Sequence, residues 1–145
     1  MKTKTLKVKS KTENLSQIRD FVSSVTSELK IPKDISENII LAVDEACTNI
    51  IKHAYNYSPD GEILVKLKPT KTKFVVSIMD NGITFQPDKI PEPDLQKYYR
   101  QRRVGGLGIY LMKTLMDEVK YTSKPGQYNE VLLSKNIRVA QSNAR

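Results

Sequence analysis

The chain has 145 residues, 39% of them hydrophobic and 28% charged, with a formal net charge of +8. That length and balance read as one soluble globular domain spanning 1–145, long enough to bury a core of its own. No apolar run approaches the ~20 residues of a membrane span, and the single Cys47 leaves no internal disulfide, which points to a reducing cytoplasm.

The first residues, MKTKTLKVKSK, are basic but lack the apolar stretch and cleavage site of a secretory signal. TLKVKS alternates, so a first strand is predicted there, its lysines lying on the outer side of an edge. This placement, with no basic motif interleaved with aromatics, reads the positive charge as a solvated surface suited to steering an acidic or phosphorylated partner. Direct nucleic-acid binding is not expected. Leu15, Ile18, Val22, Val25 and Leu29 recur at helical spacing between Glu13 and Lys30, with Thr12 or Ser10 as the expected cap. Pro32 ends that helix. Asp34 with Glu37 has the form of a capping box, opening a second helix that runs to about Tyr55.

NYSPDGE is turn chemistry, after which ILVKLK and FVVSIM form a strand pair across PTKTK. DNG follows at once. Residues 83–104, with three prolines and KYYRQRR, are too polar and broken for the core. GGLG then opens a third predicted helix, IYLMKTLMDEV. KYTS and EVLLSK, joined by the turn KPGQYN, supply two closing strands, and AQSNAR is a frayed tail. Hairpins with short turns argue for a mostly antiparallel sheet with helices on one face.

The second helix carries an unusual polar stripe. With Glu45 at zero on a helical wheel, Asn49 falls near 40°, His53 near 80° and Lys52 near −20°. The apolar arc of Ile39, Val43, Ala46, Cys47, Ile50, Ile51 and Ala54 runs from about 100° to 240°. The four polar residues therefore line the rim of the core, where they face a cleft or a solvated helix flank. Cys47, on the apolar side, reads as a small buried residue rather than a nucleophile.

Two further segments give the stripe meaning. SIMDNG ends a strand with a carboxylate, Asp80, which can accept a hydrogen bond from a base amino group. Gly82 lets the backbone approach a flat ring. RVGGLGIYLMK sets three glycines before a helix, the arrangement by which unhindered N–H groups and a helix N-terminus cradle phosphates.

Together AVDEACTNIIKHAY, DNG and GGLGIYLMKTLMDEV resemble the N, G1 and G2 boxes of the GHKL ATPase superfamily, and within it the bacterial anti-sigma-factor and serine-protein-kinase branch. The resemblance spans nearly the whole chain, to EVLLSK. It implies a two-layer α/β sandwich of the Bergerat type, a mixed but mostly antiparallel sheet covered on one face by three helices. It also implies ATP and Mg²⁺ as cofactors. By position, Asn49 would take Mg²⁺, Glu45 would be the general base, Lys52 would reach phosphate oxygens and His53 would shape the pocket wall. Asp80 would bind the adenine amino group, with Gly82 beneath the ring. Gly105, Gly106, Leu107 and Gly108 would wrap the phosphates. Residues 83–104 would form the ATP lid, its Arg100, Arg102 and Arg103 either bringing charge to the γ-phosphate or remaining a solvated basic loop.

Two positions depart from the family pattern: Thr84 stands where histidine kinases have a second glycine, and Asn129 stands near the position of a threonine that helps the aspartate. The implied activity is phosphorylation of a serine or threonine on a STAS-type anti-sigma-factor antagonist, with a sigma factor sequestered by the same surface or by a homodimer. An ATP-gated binding module without kinase activity is the alternative.

Overall fold

The computed structural model describes residues 1–84 and 112–137. Strand β1 (Lys4–Lys9) leads through a 3₁₀ turn (Thr12–Asn14) into helix α1 (Leu15–Glu28) and then helix α2 (Lys33–Asn49). Strands β2 (Glu62–Pro69), β3 (Lys73–Asp80), β4 (Glu118–Lys124) and β5 (Tyr128–Asn136) complete the described elements. All five strands form one sheet in the order β1-β2-β3-β5-β4, and every pairing among them is antiparallel.

Alternation on the strands makes the sheet two-faced. Its inner face is built of rows that cross the strands. Leu6, Val65, Ile78, Val131 and Tyr121 form one row, and Leu67, Val76, Leu133 and Val119 the next. These side chains share a core with Ile18 and Val22 of α1 and Ile39, Val43, Ala46 and Cys47 of α2. Phe74, Ile63 and Leu67 are wholly enclosed. Each such side chain contributes about 1.5–3 kcal/mol on leaving water, so the sheet-to-helix seam dominates the fold's stability. Cys47 sits inside this seam, and burial drives its thiol far above the ordinary range, as expected of an inert packing residue.

Several boundaries differ from the sequence reading. Neither Ser10 nor Thr12 caps α1: Asn14 precedes it without a side-chain cap bond. The Ser10 hydroxyl instead donates to the Ser58 carbonyl (2.6 Å) and accepts from the Gly61 N–H (2.9 Å), tying β1 to the turn before β2. The Asp34–Glu37 capping box is also absent, since Pro32 is the N-cap of α2, and Asp34 lies in the first turn, where its charge favours the helix dipole.

The α-helical part of the second helix stops at Asn49, and Ile50–Ala54 form a π-helical turn. Beyond Asn49 a wheel drawn at 100° per residue therefore misplaces Lys52 and His53. The third helix is described only from Met112, and it ends earlier than the sequence suggested. Residues 112–115 are helical, whereas Glu118 and Val119 already belong to β4. Its N-terminal part lies outside the described residues.

Candidate functional site

The row of residues next to the apolar ones turns polar partway across the sheet. Val8 and Ile63 are followed, in direct cross-strand register, by Asp80, Asn129 and Ser123. The same alternation that points Phe74, Val76 and Ile78 inward points Asp80 inward, and it leaves the carboxylate only 4% exposed. Asp80 Oδ1 accepts two bonds, from the Gly82 N–H (2.9 Å) and from Asn129 Nδ2 (2.8 Å). No described residue donates to Oδ2. Burial raises the Asp80 pKa, and the two donors on Oδ1 partly offset that rise.

Asn129 is saturated. Its Nδ2 also donates to the Gly82 carbonyl (3.1 Å), while its Oδ1 accepts from the hydroxyls of Thr84 (3.0 Å) and Ser123 (2.8 Å). A carboxylate and a carbonyl can only accept, so they fix which end of the amide faces Asp80. Thr84 and Asn129, the two departures from the family pattern, thus bond to each other, and Asn129 in turn bonds to the Asp80 carboxylate.

α2 supplies the opposite wall. Ala46, Asn49 and Ile50 close a cavity whose other side is Asp80, Tyr121, Asn129 and Val131, with Met112 also lining it. Asn49 Nδ2 is enclosed there without a hydrogen-bond partner among the described residues. Asn49 lines the cavity, and the carbonyl oxygen of its amide is an atom type that Mg²⁺ accepts. On that ground Asn49 fits a hard cation.

Glu45 lies one turn earlier, half-buried, and has no bonded partner among the described residues. Burial, and then the charge of Asp44, raise its pKa. Asp44 itself turns away to pair with Arg19 at 2.7 Å. A carboxylate of raised pKa and without a fixed partner is suited to accepting a proton. His53 is half-buried, and burial followed by the Lys52 charge lowers its pKa.

Of the residues expected from the sequence, Asn49, Asp80 and Asn129 come together around one cavity. Glu45, Lys52 and His53 are not among its lining residues, and Gly82 lines a neighbouring open groove with Ala54, Tyr55 and Thr84. Gly82 packs so closely on the Ala54 carbonyl that a Cβ there would collide with it. Arg100, Arg102, Arg103, Gly105, Gly106, Leu107 and Gly108, and the lid beyond Thr84, lie outside the described residues.

Two participants escape the sequence reading. KYTS marks Ser123 only as part of a strand, although Asn129, Val131 and Leu133 alternate on β5 and thereby mark Asn129 and its cross-strand partner as inward-facing. Tyr55 is marked only as the end of a helix, and no local sequence signal announces its bonds.

Comparison with known proteins sets this geometry in context. The family profile described as a histidine kinase-like ATPase domain matches residues 8–135. The chain is 37% identical over 126 residues to serine-protein kinase RsbW of Bacillus velezensis, covering 83% of this chain and 78% of that protein. It is 34% identical over 141 residues to serine-protein kinase RsbW of Listeria monocytogenes, covering 94% and 88%. Among solved structures, the RsbU and RsbW domains of Rv1364c from Mycobacterium tuberculosis superpose with a TM-score of 0.67 at 13% identity. That match covers 97% of this chain and 35% of the larger one, and it speaks for the fold alone.

Proposed function

The chain belongs to the histidine kinase-like ATPase family, in its branch of serine-protein kinases, and from that premise we propose that it moves the γ-phosphoryl group of ATP to a serine or threonine on a STAS-type anti-sigma-factor antagonist. In this reading the whole of 1–145 is one ATP-binding domain working in the cytoplasm. The single observation that carries the nucleotide assignment is the buried Asp80 carboxylate, which lines the cavity with Oδ1 doubly bonded while no described residue donates to Oδ2. An acceptor so placed suits the adenine amino group. Guanine offers a carbonyl at that position, and two facing acceptors in a desolvated slot cost several kcal/mol.

The chemistry asks for positioning and charge neutralisation more than for a covalent nucleophile. Glu45 takes the proton of the attacking hydroxyl as the new oxygen–phosphorus bond forms and the bond to the β-phosphate oxygen breaks, and ADP leaves. Asn49 would hold Mg²⁺, which would supply positive charge to the phosphates. Lys52 reaches phosphate oxygens, and His53 forms part of the wall. By resemblance, Gly105, Gly106, Leu107 and Gly108 wrap the phosphates, and Arg103 meets the γ-phosphate when the lid closes.

The same protein, as a homodimer, would hold a sigma factor, and phosphorylation of the antagonist would decide which partner is bound. No helix among the described residues is long and apolar enough to cross a membrane. The test is transfer from γ-labelled ATP to the antagonist. The unmodified chain should label a single serine or threonine, and Glu45→Gln should bind ATP yet label nothing. Normal labelling by Glu45→Gln would remove Glu45 from the role of base. ATP binding without any labelling by the unmodified chain would leave the ATP-gated binding module.

A further inference from the structure

We infer that Tyr55 is a positioning residue for the base-binding turn, acting through its hydroxyl on the backbone that carries Asp80 and Gly82. This rests on the nucleotide reading above and adds to it a residue at the end of AVDEACTNIIKHAY that has no role in that reading. The Tyr55 hydroxyl donates to the Glu62 carbonyl (2.6 Å) and accepts from the N–H groups of Asn81 (2.8 Å) and Glu62 (3.3 Å). One side-chain oxygen therefore joins the start of β2 to the turn that leaves β3. Asn81 lies between Asp80 and Gly82, so the bond to its N–H fixes the peptide next to the carboxylate.

The π-helical turn is what brings the phenol there. Its wider ring is closed by the Tyr55 N–H on the Ile50 carbonyl (3.0 Å), and the Ala54 carbonyl is left to accept from the Ile83 N–H (2.8 Å). The end of the π-helical turn thus grips the turn after β3 at two points, Ala54 to Ile83 and Tyr55 to Asn81, on either side of Gly82. Gly61 supports the arrangement from behind: a Cβ at 61 would run into the Tyr55 ring. Because α2 also carries Glu45 and Asn49, Tyr55 sets the spacing between the base-binding carboxylate and the residues that face the phosphates.

Tyr55→Phe keeps the ring and removes the hydroxyl. Calorimetric titration of ATP and of GTP into this variant and the unmodified chain, with thermal melting and amide exchange of each, tests the inference. The expected result is an ATP affinity lower by about tenfold, a smaller ATP-to-GTP ratio and faster exchange at the Asn81 amide. Gly61→Ala, which pushes on the ring while keeping the hydroxyl, should move the ratio in the same direction, and it serves if the phenylalanine variant does not fold. Tyr57→Phe, at an exposed tyrosine two residues on, should change nothing. A Tyr55→Phe protein that melts lower but keeps the unmodified ATP affinity and ATP-to-GTP ratio would overturn the inference alone. Absence of any nucleotide binding by the unmodified chain would overturn it together with the phosphoryl-transfer reading.

Discussion

Two buried polar clusters in this molecule are built on opposite terms. Between α1 and α2, the fully enclosed Thr26 hydroxyl reaches the Ser23 carbonyl at 3.1 Å and meets the Ser36 hydroxyl at 2.6 Å. Around Asp80, no described residue donates to Oδ2 of the carboxylate, and the enclosed Nδ2 of Asn49 has no partner among the described residues, although both residues line one cavity. Burying an unpaired polar group costs about 1–3 kcal/mol, so the first cluster holds the structure together while the second carries such a cost beside the cavity. Asn129 is the hinge between the two styles. It is saturated itself, and it supplies one of the two donors on Oδ1 of Asp80.

Substitutions should separate the clusters. The largest effect belongs to Glu45→Gln: phosphoryl transfer should fall by about a thousandfold, within the span of a lost general base, while ATP still binds in a filter or calorimetric assay. The acid limb of the pH–rate profile gives a companion test. A base works deprotonated, and burial raises the Glu45 pKa above its ordinary 4.5. Transfer by the unmodified chain should therefore decline as pH falls through a midpoint above that value. Next comes Asn49→Ala, which should weaken Mg·ATP by about ten- to hundredfold in titrations with and without Mg²⁺.

Stability should respond the other way round. Thr26→Val strands the Ser36 hydroxyl and should cost about 1–3 kcal/mol in denaturant unfolding while leaving nucleotide affinity alone. Asp80→Asn should lose ATP without losing stability. The folded pKa of Asp80 is raised, so its ionised form is disfavoured by folding. The corresponding stability is present below the unfolded pKa and is lost as pH rises through the folded one. At neutral pH the amide should therefore melt no lower than the carboxylate, and its stability should vary less with pH. The smallest effect should come from Arg19→Ala, since its pair with Asp44 is partly exposed and worth at most about 1 kcal/mol.

How much of this was legible in the sequence depended on how local the cause was. The apolar spacing of Ile18, Val22 and Val25 and the alternation of FVVSIM located α1 and β3, because periodicity reports burial directly. Asp80 and Asn49 were legible through their motifs. What the sequence hid was set by distant partners. Ser10 bonds across 48 residues to Ser58 rather than capping the helix beside it, and the Asp34–Glu37 pattern lost to a helix start at Pro32. The π-helical turn after Asn49 has no signature in IIKHA, being stabilised by what its carbonyls and Tyr55 find in the turn after β3. Asn129 bonds to Thr84 across 45 residues and to Ser123 across 6, and only the strand register makes the three one network.

The most direct test of the adenine role is a competition between ATP and GTP for the unmodified chain and for Asp80→Asn. The adenine role of Asp80 predicts that ATP is preferred by about two orders of magnitude or more, the margin expected when a buried acceptor is left facing another acceptor. It also predicts that the asparagine variant loses both affinity and preference while keeping its fold. Equal affinities of the unmodified chain for the two nucleotides would contradict the adenine role of Asp80 and, with it, the idea that the unpaired half of the site exists to receive a base.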